Sequence, residues 1–186
     1  MSHFIASNYF HKLAEENSQL ELIDTLYLKA IDYYADDISE ALLALTFSTF
    51  TFQKMSVSLP ILGLTLKAPL PTMPDSLFNK RLENLPSHFL IDSPNSDNSD
   101  KDKLPHFFGS AFLSYNLRFF NFSKFMGILV ELFEETFKVQ GEVDSRDLII
   151  NSFGDLFGTV LNNKNDVLPS QVLELHSILY HKHKFH

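Results

Sequence analysis

The sequence predicts an all-α fold: a helical bundle with a helical N-terminal extension. Three observations carry this. Apolar residues recur at three- and four-residue spacing along most of the chain, as one buried helix face requires. Helix-start signals stand in front of several of those stretches. Strand-like alternation is confined to residues 49–66. With 186 residues, the chain can bury roughly 70% of its unfolded surface, so its core needs no disulfide or metal staple. Nineteen Phe and no Trp predict that phenyl rings fill much of that core.

The elements follow in order. Residues 3–16 read as a first helix. Ser18-x-x-Glu21 is a capping box, and behind it Leu22, Ile23, Leu26, Ala30, Ile31 and Tyr34 recur at helical spacing. Asp37-x-x-Glu40 predicts a second box, opening a helix through "ISEALLALTF". From Thr49 to Leu66, Phe50, Phe52, Val57, Leu59 and Ile61 alternate with polar residues. Pro60 and Gly63 allow a short β-hairpin there, and an extended loop fits as well. "KAPLPTMPDS" is a Pro-rich connector, and residues 75–84 suit a short helix. "DSPNSDNSDKDK", residues 92–103, reads as a polar linker, too polar to bury. Four more helices are expected at about 100–120, 123–139, 144–162 and 169–182. The organisation is therefore an N-terminal extension with its connector (1–91), the linker (92–103) and a C-terminal helical core (104–186). No internal repeat is visible.

Charge and composition exclude several classes. Net charge is −8, with 6 basic and 10 acidic residues in 1–91 and 9 and 13 in 92–186. An evenly acidic chain has no electrostatic footprint for nucleic acid. The absence of Cys removes disulfides, thiolate metal sites and Cys nucleophiles. "MSHFIASNYFHKLAEEN" lacks the basic start and apolar core of a secretory signal. Residues 41–66 are apolar but contain Lys54 and many hydroxyls, and a mid-bilayer Lys costs roughly 3 kcal/mol. A soluble, cytoplasmic protein is expected, with peripheral membrane or envelope contact through the Phe-rich 41–66 stretch as the alternative.

One stretch stands out: "GEVDSRDLIINSFGDLFG", residues 141–158. On a helix, Asp147, Asn151, Gly154 and Gly158 fall within an arc of about 60°, with Asp144 at its margin. The rest of the circumference is mainly Leu148, Ile149, Ile150, Phe153, Leu156 and Phe157. A helix apolar nearly all round is buried, so the polar arc is expected to face another helix, brought close by the glycines. A carboxylate placed there needs a cation, donors or a proton. Two partner faces are available. One holds Asp102, His106, Gly109, Ser110 and Leu113; the other holds Lys124, Gly127, Glu131, Glu134, Glu135 and Lys138.

"DKLPHFFGSAFLSY", "GILVELFEE" and "GEVDSRDLIINSFGDLFG", in that order, resemble the VanZ-like family and the related YfiM-type envelope lipoproteins. The resemblance covers residues 101–161, one third of the chain. It implies a VanZ-like helical core in which Asp102, His106, Glu131, Asp147, Asn151, Gly154 and Gly158 occupy the family's polar positions. The chain departs from the family's membrane bundles at Arg118, Lys124 and "EETFKVQGE", which are too polar to span.

Two readings of the polar set stay open. His106, Glu131 and Asp147, with Asn151 beside them, have the chemistry to hold Zn²⁺, Mn²⁺ or Fe²⁺ and to activate a water against an ester or phosphate. Alternatively they form a buried hydrogen-bond network, with Asp147 accepting from His106 and Asn151 bridging backbones. The network makes a non-enzymatic binding or envelope-associated protein; the metal makes a hydrolase. Glu134 and Glu135 read as a solvated face. His176, His181, His183 and His186 read as a tail beyond the core.

Overall fold

The computed structural model describes residues 1–59, 64–69, 73–96, 99–117, 145–164 and 166–184. Among these it is a helical bundle with one β-hairpin. The helices are α1 (Ser2–Ile5), α2 (Asn8–Glu16), α3 (Gln19–Tyr33), α4 (Ile38–Thr49), α5 (Asp75–Asn84), α6 (Lys103–Asn116), α7 (Ser145–Leu161) and α8 (Pro169–Lys184). The strands β1 (Lys54–Leu59) and β2 (Leu64–Pro69) pair antiparallel, with Lys54 opposite Pro69 and Leu59 opposite Leu64. The helix expected over 123–139 lies outside the described residues.

Local chemistry explains most of the boundaries. The helix expected over 3–16 is two helices, because the Ser7 side chain accepts from the Phe10 N–H and so starts α2 afresh. Ser18 and Glu21 form the full capping box of α3. At α4 only half of the expected box forms. Asp37 accepts from the Glu40 N–H, while its own N–H donates to the Tyr34 carbonyl oxygen. Between α3 and α4 the chain turns through Ala35 and Asp36, both at positive φ. Pro105 is tolerated in the first turn of α6, where an amide donor has no helical partner to lose. The start of α8 is capped from a distance: Asp24 on α3 accepts from the Ser170 amide at 2.8 Å and from its hydroxyl at 2.6 Å. Burial pushes the Asp24 carboxyl above its ordinary range, and the two Ser170 bonds work against that shift.

One cluster of buried apolar side chains takes members from Ile5 through Leu173. Phe rings are prominent in it: Phe107 stacks on Phe157 with centroids 5.4 Å apart, and Tyr27 meets Phe157 edge-on at 5.3 Å. Fully burying one such ring contributes about 2–3 kcal/mol. α6 lies between α7 and α4, and α8 packs on α3 and α7.

The segment 92–103, expected to be too polar to bury, is corrected at its C-terminal end. Asp100 is 0% exposed, and Lys101 and Lys103 are buried as well. Charged residues can be buried when partners reach them, and here the partners come from other elements.

No described helix is long and apolar enough to cross a membrane.

Candidate functional site

The expected meeting of polar residues occurs between α6 and α7. Contacting pairs advance together along both helices: Lys103 with Asp147, Phe107 with Gly154, Ala111 with Gly158, and Ser114 with Asn162. The two helices therefore run parallel. A Cβ built on Gly154 would stand 2.2 Å from the Phe107 carbonyl oxygen, and one on Gly158 the same distance from that of Ala111. Both glycines sit where the backbone of α6 leaves no room for a side chain. Gly109 is different. Although grouped with Ser110 in the sequence reading, it faces α4, where its nearest neighbour is the Thr46 methyl at 3.4 Å.

Asp147 receives its cation from Lys103. The Lys103 ammonium lies 2.6 Å from Asp147 Oδ1 and 2.8 Å from Asp102 Oδ2. Its side chain is 2% exposed, against 19% for Asp147 and 51% for Asp102. Asp102 stands at the N-cap of α6, yet its side chain makes no capping bond and goes to Lys103 instead. His106, one turn further along, holds Nε2 3.8 Å from Asp147 Oδ2. That is too long for a hydrogen bond and amounts to an ion pair only when the ring is protonated. The expected His106-to-Asp147 bond is thus replaced by one from lysine. Asn151, buried, accepts from the Ser110 hydroxyl at 2.9 Å rather than bridging backbones. Lower on the seam, Ser114 donates to Asp155, and Asn162 Nδ2 lies 3.4 Å from the Ser114 carbonyl oxygen.

Above Lys103 lies a second ionic group that the sequence reading missed. The fully buried Asp100 carboxylate accepts from the Phe89 and Leu90 amides at 2.9 and 3.0 Å, from Ser93 Oγ, and from Arg146 on α7. Arg146 also reaches Asp92, with Nε 3.4 Å from Oδ2. Asp100 therefore ties the 87–93 loop to the N-terminal ends of both seam helices. Two salt-bridge systems, Asp102–Lys103–Asp147 and Asp92–Arg146–Asp100, close the N-terminal end of the α6/α7 contact.

Glu131, with the rest of the 123–139 face, lies outside the described residues. Among the described residues, no group of three or more His, Asp and Glu is placed to hold a metal ion. His176, expected in a tail beyond the core, is instead buried in α8, edge-on to Phe153 at 5.7 Å and without a partner for Nδ1. The side chains of His181, His183 and His186 lie outside the described residues.

A helical projection contained a signal for Lys103, which stands seven residues before Ser110 and eleven before Ser114, the two serines that face α7. No local pattern marks Asp100, whose burial depends on Arg146, 46 residues away. Compared with family models, curated proteins and solved structures, this chain matches none.

Proposed function

We propose that this chain is a non-enzymatic binding or envelope-associated protein whose α6/α7 polar seam fixes the packing of the bundle. One observation carries the reading: the position beside Asp147 where a bound cation would stand is held by the Lys103 ammonium, 2.6 Å from Oδ1. A divalent ion brought to that carboxylate would meet a buried positive charge at contact distance, and the two would repel. The remaining seam groups are engaged with one another: Asn151 with Ser110, Asp155 with Ser114, Arg146 with Asp100 and Asp92. Such a set of directional pairs specifies helix register. The likeness of residues 101–161 to VanZ-like proteins supports a helical core of this kind and says little about chemistry.

The second reading, a metal-dependent hydrolase of an ester or phosphate, draws on the imidazole of His106, 3.8 Å from Asp147. His106, Asp147 and Glu131 would hold the ion, which would supply a polarised water. For the protein to work this way Lys103 has to leave Asp147.

Elemental analysis of the purified chain, together with melts in chelator and in added Zn²⁺ or Mn²⁺, separates the readings. The seam reading expects no stoichiometric metal and no shift in melting. Close to one equivalent of a divalent ion, lost in Asp147→Asn, would overturn the seam reading, and metal-dependent turnover of an ester or phosphate by the same sample would then establish the hydrolase.

A further inference from the structure

A cleft of about 360 Å³ opens between α4 and α5, away from the seam. Its wall is aromatic. Phe47 and Phe50 meet edge to face with centroids 5.5 Å apart, and Phe50 stacks on Phe52 at 4.9 Å. Leu43 and Phe78 extend this wall, and Arg81 lines the cleft too. Phe47 and Phe52 remain 47% and 42% exposed, which leaves apolar surface open to a guest. Small-molecule pockets run from roughly 300 to 1,000 Å³ and are mostly apolar with a few placed polar groups, and this cleft has that make-up.

Arg81 is the placed polar group, and its own contacts leave it incompletely satisfied. It is 1% exposed. One terminal nitrogen donates to the Ser48 carbonyl oxygen, the other to that of Phe50 at 2.6 Å, and the guanidinium carbon lies 4.9 Å from the Phe78 ring centre. These bonds close the C-terminal end of α4, where the helix dipole offers roughly half a negative charge. The account is incomplete in two respects. Nε is buried with no partner. No carboxylate among the described residues pairs with the guanidinium. Burial accordingly pushes it down to about 10 with no acidic neighbour opposing the shift. At neutral pH it stays protonated, so a whole positive charge is buried against carbonyl dipoles and a ring face.

We propose that this cleft binds a small amphipathic carboxylate, with its apolar chain or ring on the phenylalanines and its acid group at Arg81. The inference rests on the reading of the chain as a binding protein and names the ligand class. An acid group would bring the charge that Arg81 lacks, through charge-assisted hydrogen bonds in a low-dielectric site. Exposed Glu40, also on the lining, disfavours an acid left in its vicinity and so orients the guest with its acid toward the buried Arg81.

The test is calorimetric titration of the whole chain with decanoate, phenylbutyrate and uncharged decanol, each below its aggregation concentration. At least one acid should bind ~10-fold or more tightly than decanol, as expected for a hydrogen bond to a charged partner. Tighter decanoate assigns an aliphatic guest and tighter phenylbutyrate an aryl one; either supports the proposal. In Arg81→Met the preference for acid should collapse while decanol still binds. Ala44→Phe leaves Arg81 in place but fills the cleft, and should abolish binding of all three; it carries the test alone if Arg81→Met fails to fold. Equal affinity for acids and alcohol in the wild type, no binding by any probe, or an Ala44→Phe variant that binds normally overturns the proposal. Metal content measured on the same samples reports on the non-enzymatic reading separately, so the two failures are distinguishable.

Discussion

Two of the bundle's buried cations, Lys103 and Arg81, are held in opposite ways. Lys103, 2% exposed, meets two carboxylates within 2.8 Å on the α6/α7 seam. Arg81, 1% exposed, meets backbone carbonyls and a phenyl face beside the α4/α5 cleft. Removing a charge from water costs several kcal/mol, and only good opposing charge and hydrogen bonds return it. The seam meets that condition from within the chain, which is why it reads as architecture. The cleft meets it only in part, and beside the shortfall stands open aromatic surface. A buried cation is thus uninformative about function until its counter-charge has been located.

The largest effect should come from the seam's deepest anion. Asp100→Ala removes the acceptor of two amides and a serine and takes from Arg146 its fully buried carboxylate partner. A loss of about 3–5 kcal/mol is expected in denaturant melts. Asp102→Ala, at a half-exposed carboxylate, should cost about 1 kcal/mol or less. If the two variants melt alike, the seam is not closed by buried charge and the contrast with the cleft dissolves.

Next come the glycines that let the seam form. Gly154→Leu and Gly158→Leu push a side chain into the α6 backbone and should each cost about 3 kcal/mol. Gly109→Ala makes ordinary contact with Thr46 and gains helix propensity worth about 1 kcal/mol, so its melt should be unchanged or slightly raised. A Gly109→Ala penalty as large as that at Gly154 would show that α4, not α7, makes the tight contact with α6.

Asp147→Asn should fall a little lower, at about 2–3 kcal/mol. The buried Lys103 loses one carboxylate but keeps Asp102. A loss nearer 1 kcal/mol would mean that the pair with Lys103 adds little beyond a neutral hydrogen bond.

How much of this was legible beforehand depended on whether the information was local. The arc of Asp147, Asn151, Gly154 and Gly158 is a matter of helical phase, and phase is visible in a sequence; so were the Ser18 box and the core stripe of α3. Ser7 was overlooked because its cap interrupts an apolar pattern that runs on across it. Asp100 was misread because Ser, Asp, Asn and Lys in a run have the composition of a linker, whereas their burial is decided by Arg146 on another helix. Arg81 gave no signal at all. It sits three residues after Phe78 in a short polar helix, and its setting comes from the end of α4, more than thirty residues earlier. His176 was placed in a tail because α8 was expected to emerge from the bundle, yet at that point it still packs on Phe153.

The smallest effect should be the most telling, because it compares the two cations directly. Arg81→Met discards two hydrogen bonds to α4 carbonyls, each worth about 1 kcal/mol net, and also removes a buried charge that no carboxylate offsets. Replacing a buried ion by an apolar side chain of similar length is often neutral or stabilising when the ion was poorly paired. The two contributions oppose each other, and the net change should lie within about 1 kcal/mol of zero. Lys103→Met removes an ion that is well paired and strands Asp147 beside a histidine 3.8 Å away, so it should cost about 2 kcal/mol or more. Urea melts of the two variants side by side give the comparison. If Arg81→Met is as damaging as Lys103→Met, the end of α4 alone satisfies the guanidinium, and the cleft has no unmet charge to offer a guest. If it is nearly silent in stability and still abolishes the preference for decanoate over decanol, then the charge at Arg81 serves binding rather than folding.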